Sequence, residues 1–355
     1  MTRELAFELC VEENKLFTSH AFYVYFLNNY LGIEQIEDSF NVIHKLFDYI
    51  KKGFRKLIEK QTWLGSYAQS RFREKNEELE YDIDFNLNEL FEFFSIDNCE
   101  RVYNHFDYKY NDSYEVLKEK IKNFIRFFSN KDSRFFNSSM DLFEPTAKYD
   151  IPGNIFYVSF GLLTLPTFNL TLPPVMMFGL YGSIIAQEIA HGFSEAGRWY
   201  ISRQGPGDMF DESTAEKYEY KRKCINLQYQ YEKHSISGMY ANSELTLSET
   251  IADNMGAKIA YTAFKIYEEE HGSEESKIPG LLHYTNDQLF YIGYAQNHCD
   301  KYTVGGSIYA LQNYPSPPGE IRVMGALVNQ PEFSKVYYCS VDSRMYYFQR
   351  CEILI

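Results

Sequence analysis

Two segments carry residue types and spacings that can do chemistry. In Gln187-Glu188-Ile189-Ala190-His191-Gly192-Phe193, positions i and i+4 of a helix share a face, so Gln187 and His191 point the same way with Glu188 beside them. The H-E-x-x-H pattern uses that spacing to hold zinc between two imidazoles, with the Glu as general base. Here its first position is Gln. By itself the segment leaves two readings open, because a single His on an apolar helix more often serves the core than a metal. The second segment, Leu247-Ser248-Glu249-Thr250-Ile251-Ala252-Asp253-Asn254, sets two carboxylates on one helical face among apolar and small residues. A carboxylate taken out of water is costly unless it meets a cation, a metal or hydrogen-bond donors. A metal ligand at Glu249, with Asp253 orienting a ligand on the first helix, meets that need. Two ordinary acids on a solvated face are the plain alternative.

The elements that must position these residues are legible in the apolar pattern. All eleven prolines lie at or after Pro145, and only Gly32, Gly53 and Gly65 of the twenty glycines precede it, so residues 1–144 are expected to be mostly helical. Phe40, Ile43, Phe47, Ile50, Phe54 and Leu57 recur at intervals of three and four, the stripe of an amphipathic helix. A second stripe runs through Tyr114, Leu117, Ile121, Phe124 and Phe128, with Asp112 and Glu115 spaced as a capping box. From Ile151 to Gln187 there is no charged residue. Pro166, Pro173, Pro174 and three glycines interrupt that stretch, which excludes one continuous membrane span. It reads as a strand at residues 155–160, a Pro-rich loop, and a buried helix from Val175 to near Gly192.

Composition bounds the function classes. The chain has 355 residues, a net charge of −14 and 45% hydrophobic residues, enough for two domains or one large one with a real core. An acidic chain with no long Lys/Arg run is not expected to bind nucleic acid or an anionic membrane surface. The six cysteines (10, 99, 224, 299, 339 and 351) contain no C-x-x-C pair, which removes zinc-ribbon and thioredoxin readings. The first thirty residues lack a basic segment followed by an apolar one, so the chain as given is expected to carry no signal peptide. Sequons at Asn111, Asn137 and Asn169 hint at a secreted context.

Taken together, the motifs resemble the neprilysin family of zinc endopeptidases, which includes the endothelin-converting enzymes. The resemblance runs over nearly the whole chain and is strongest from Tyr181 to Phe264. Beyond the two segments above, it rests on Cys224-Ile-Asn-Leu-Gln-Tyr229, Gln288-Leu-Phe-Tyr-Ile-Gly-Tyr-Ala-Gln296, Ser316-Pro317, Arg322-Val323, Pro331-Glu-Phe333, and the closing Cys339 and Cys351. It implies a mainly α fold with a small β component (α+β): a thermolysin-like zincin domain preceded by the remnant of a helical lid. The implied division is 1–62 for the lid remnant, 63–105 for a linker and 106–355 for the peptidase domain. The resemblance further implies a Cys224–Cys351 disulfide, and a setting at the plasma membrane or outside the cell, with the anchor absent from this chain.

Residue by residue, the resemblance assigns His191 and Glu249 as metal ligands, Glu188 as general base and Asp253 as the carboxylate behind a ligand. Arg322 matches an Arg that grips a substrate carbonyl. Four positions depart from the family pattern. Gln187 stands for the first ligand His, and Ser194 for the Asp of H-G-F-D, with an acid displaced to Glu195. Thr146-Ala147-Lys148-Tyr149 stands for the Asn-Ala-x-Tyr edge that binds substrate, and Pro315 for the His that stabilises the oxyanion. An amide is a poor replacement for imidazole on zinc, and two protein ligands fall short of the three a catalytic site uses. A missing oxyanion donor costs about 10²–10³ in rate. The expectation is therefore a pseudopeptidase that binds zinc weakly or not at all and retains peptide or partner binding. The alternative is an active zinc endopeptidase that tolerates Gln187.

Overall fold

Helices dominate because the apolar spacing predicted above is honoured almost everywhere. The computed structural model describes residues 17–31, 33–82, 92–131, 145–163, 168–202, 205–273, 278–346 and 349–354. Helix α1 (Ile33–Lys60) is followed by α2 (Ser66–Glu77), strand β1 (Glu80–Asp82), α3 (Ile96–Tyr103) and α4 (Tyr114–Lys131). Strands β2 (Ala147–Asp150) and β3 (Ile155–Val158) come next. After a short helical turn at Pro174–Met177 and a π-helical turn at Phe178–Gly182, α5 (Ser183–His191) begins. The chain continues with α6 (Glu212–Gln230), α7 (Ser243–His271), α8 (Asn286–Asn297), α9 (Val304–Asn313) and α10 (Gly319–Leu327). The described strands form a three-stranded sheet in the order β1-β3-β2 and a separate two-stranded one, so the fold is mainly α with a small β component. Among the described residues no helix is long and apolar enough to cross a membrane.

Contacts group the chain into two units that interleave in sequence. The first takes Met1–Asn41, Ile83–Thr146 and Val158–Leu170. Its small core is aromatic: Val102, Phe124 and Phe128 are buried, with Phe17, Tyr103 and Phe106 packed against them. The stripe predicted on α4 is core-facing only in its C-terminal half, since Tyr114 is 58% exposed. The cap also differs from expectation. The Ser113 hydroxyl accepts from the Val116 N–H, while Asp112 receives the Lys109 N–H and the Lys120 ammonium. One residue further on, Ser113 is the better-placed acceptor for the first turn.

The second unit comprises Val42–Asp82, Ala147–Tyr157 and Thr171–Ile355. Ile43, Phe47, Ile50, Phe54 and Leu57 on α1 are all buried, as the spacing requires. The centre of the unit is the packing of α5 on α7. Gly256 permits it, because a Cβ there would lie 2.8 Å from the Gln187 backbone nitrogen. Cys224 on α6 is joined to Cys351, 127 residues later. Cys99, Cys299 and Cys339 are free thiols. Asn111 is exposed, whereas Asn137 and Cys10 lie outside the described residues.

Candidate active site

Helix α7 supplies the acids. It starts at Asn242, whose side chain accepts from the Leu245 N–H, and its middle is buried on nearly every face. Asp253 is buried and Glu249 half-buried, and both take partners from neighbouring elements. Asp253 is gripped by Arg322 on α10 through two parallel bonds, Nε to Oδ2 at 2.8 Å and Nη2 to Oδ1 at 2.6 Å. A bidentate pair of this kind is the strong form of an ion pair. Although burial works against the charge, Asp253 keeps the Arg322 guanidinium above its usual pKa.

Helix α5 supplies the facing residues. Gln187 Nε2 donates to Glu249 Oε2 at 3.1 Å, and His191 Nε2 lies 3.4 Å from Glu249 Oε1. Both carboxylate oxygens are thus occupied from one helical face. The carboxylate also fixes the amide's orientation, because Oε1 in that place would set acceptor against acceptor. Burial pulls the His191 imidazolium down, but Glu249, with Glu188 and Asp253, outweighs it and leaves the pKa raised. Glu188 is pushed up to about 7, chiefly by its removal from water, with His191 opposing and Glu249 adding to the rise. The Tyr149 backbone on β2 and the Arg322 guanidinium work against that rise. His298, at the end of α8, is held down at about 4 by burial.

The matches in known proteins follow this geometry. The model of peptidase family M13 matches residues 147–353. This chain belongs to peptidase family M13. Neprilysin-1 of Caenorhabditis elegans is 30% identical over 314 residues, which cover 86% of this chain and 40% of that protein. Neprilysin-2 of Drosophila melanogaster is 36% identical over 193 residues, or 54% of this chain and 25% of that protein. Endothelin-converting enzyme 1 of Cavia porcellus is 28% identical over 331 residues, or 89% and 41%. This M13 chain therefore spans less than half the length of these relatives. Solved structures share the fold. The Mycobacterium tuberculosis zinc metalloprotease ZMP1 in complex with an inhibitor superposes with a TM-score of 0.77 at 18% identity, over 96% of this chain and 50% of that one. The Haemonchus galactose-containing glycoprotein complex gives 0.77 at 24% identity, over 97% and 54%.

Zinc is the metal of M13 relatives, and the residues present here can be tested for it. Catalytic zinc takes three protein donors and keeps one position open. This M13 chain offers one imidazole, one carboxylate and an amide that directs Nε2 at the carboxylate. Among the described residues no group of three or more His, Cys, Asp and Glu is arranged to hold a metal. The donor set does not fit a three-ligand zinc site.

The fold brings together Gln187, Glu188, His191, Glu249, Asp253 and Arg322. Ser194 does not turn toward the imidazole: its hydroxyl donates to the His191 carbonyl at 2.7 Å. Glu195 is exposed and lies 3.9 Å from Arg198. Pro315 is exposed beyond the end of α9. Thr146 precedes β2 in the first unit, its N–H donating to the Ser159 hydroxyl at 3.2 Å. Ala147, buried, opens β2.

Sequence reasoning missed a buried amide cluster next to Asp253. Asn329 Nδ2 donates to Asn254 Oδ1 and Gln228 Oε1, each at 2.8 Å, and Asn329 Oδ1 accepts the Cys351 N–H at 2.9 Å. Asn254 donates in turn to the Tyr229 hydroxyl at 3.1 Å. Gln228 and Tyr229 stand in the Cys224–Tyr229 segment and Asn254 directly follows Asp253, so the signal was present without a role attached. The cluster joins α6, α7 and the disulfide-linked C-terminal segment behind the acids.

Proposed function

We propose that this chain is a neprilysin-like pseudopeptidase, which binds peptides without efficient zinc-dependent cleavage. The observation that carries the reading is that Gln187 and His191 occupy both oxygens of Glu249, the place where a metal would need free donors. In this reading Gln187, His191 and Glu249 stand at metal-ligand positions and Asp253 orients them through its helix. Glu188 stands at the general-base position, with no metal-bound water to act on. Pro315 has no donor for an oxyanion. Peptide binding rests on Ala147 and the β2 edge, which can pair with an extended backbone, together with Arg322, while Thr146 stands at the Asn position of the family's substrate-binding edge. The resemblance to neprilysins and the Cys224–Cys351 bond support an oxidising setting, outside the cell or on its surface.

Elemental analysis of purified protein tests the reading together with peptide cleavage. Zinc well below one per chain, and no chelator-sensitive cleavage, are the expected results. Near-stoichiometric zinc with cleavage abolished by a chelator would establish the active endopeptidase instead.

A further inference from the structure

A second set of bonds ties β2 to α5, and it centres on a residue in an uncommon conformation. Asn154, 1% exposed, ends the turn between β2 and β3 with φ at +55°. A non-glycine residue persists in the left-handed region only where its surroundings over-determine it. Here both ends of the Asn154 amide and its carbonyl are used. Its Oδ1 accepts the Tyr149 hydroxyl at 2.6 Å, its Nδ2 donates to the Lys75 carbonyl at 3.0 Å, and its own carbonyl accepts the Glu80 N–H at 3.2 Å.

Lys75 closes the circuit from the other side. It is fully buried, and its ammonium donates to the carbonyls of Gly192 at 2.7 Å, Gly197 at 3.0 Å and Tyr200 at 2.7 Å. Gly192 caps the C-terminus of α5, one residue past His191. The last carbonyls of a helix are its negative end, where a cation is favoured. Tyr149 lies directly on the same cap, since a Cβ at Gly192 would come within 2.5 Å of its hydroxyl. Tyr149 thereby joins β2 to the end of α5 through its ring and hydroxyl.

We propose that Asn154 and Lys75 are positioning residues that set the spacing between strand β2 and helix α5, and with it the fit of an extended peptide added to β2. The inference rests on the peptide-binding reading for the peptide, but not for the spacing. Asn154 acts through the Tyr149 hydroxyl, and Lys75 through the Gly192 carbonyl at the end of α5.

Asn154→Gly provides the test, because Gly adopts positive φ without strain while the two amide bonds are lost. Amide hydrogen exchange read at single residues is expected to speed up about tenfold at Tyr149. Exchange at Phe156 and Tyr157, paired with β1, is expected to stay as in the unaltered protein. In the same samples, an end-capped fluorescein-labelled pentapeptide is expected to bind about fivefold more weakly. Tyr149→Phe, which removes only the hydroxyl, should move both readouts part of the way. Unchanged Tyr149 exchange overturns the proposal. Equal acceleration at Tyr149, Phe156 and Tyr157 also overturns it, since that marks a merely structural loss. Should the unaltered protein not bind the peptide, the peptide-binding reading fails, and the exchange result still decides the spacing.

Discussion

Asp253 and Glu249 sit one turn apart on α7, and their partners differ in kind. Asp253, with a side chain 1% exposed, receives both arms of a guanidinium. Glu249, 24% exposed, receives a neutral amide and an imidazole. The first carboxylate is fully compensated by a permanent cation. The second is compensated by a neutral dipole and by an imidazole that is a cation only when protonated. The difference teaches that two carboxylates one turn apart on a helix can be held by different means. The ion pair and the amide cluster satisfy their own polar groups, whereas the Gln187–His191–Glu249 face is held by weaker bonds.

The comparison can be broken most forcefully at the strong centre. Arg322→Met leaves Asp253 buried without its cation, and removing one partner of a buried pair costs about 3–5 kcal/mol. Denaturant unfolding should register that loss, and a change below about 1 kcal/mol would mean the pair is not the frame's anchor. At the other centre, Gln187→His supplies a third donor and is expected to raise zinc affinity at least about tenfold, read by competition with a chromogenic chelator. Little cleavage should accompany it, because Pro315 still offers no oxyanion donor.

His298 sharpens the comparison through pH. Burial holds its pKa at about 4, below the ordinary 6.5, with Asp253 and Asp300 opposing the shift and Arg322 adding to it. Between those values the unfolded chain binds more protons, so the His298 contribution is intact above pH 6.5 and is lost as pH falls toward 4. His298→Phe should flatten that limb of the stability–pH curve relative to the unaltered protein. The smallest effect is expected for Glu249→Gln, at most about 1 kcal/mol, because its partners are a neutral amide and a partly exposed imidazole. A loss comparable to that of Arg322→Met would erase the distinction between the two carboxylates.

What was legible in the chain follows the range of each interaction. The α1 stripe from Phe40 to Leu57 and the helix ending at Gly192 are local periodicities, and both appear where the spacing put them. The apolar neighbours of Glu249 and Asp253 left a solvated face open, and the structure buries Asp253 fully and Glu249 by half. The partner of Asp253 was not derivable from its own segment, because Arg322 is 69 positions away and only the tertiary fold brings it close. Lys75 was hidden for the same reason: its acceptors are backbone carbonyls, which leave no trace in residue type. On α4 the apolar pattern overstated the core, since packing covers Phe124 and Phe128 but not Tyr114.

The π-helical turn at Phe178–Gly182 bears on how this segment tolerates change. Such a turn accommodates one residue more than an α turn, and one residue amounts to about 100° of rotation around the axis. Loss of a single codon there would leave the reading frame and the apolar character intact. It would shorten the π turn to an ordinary α turn and keep the helical segments on either side in phase, so Gln187, Glu188 and His191 would still face Glu249. The stretch ahead of α5 therefore has slack for one residue, and a deletion there is expected to be milder than one inside α5, which would turn these side chains by about 100°.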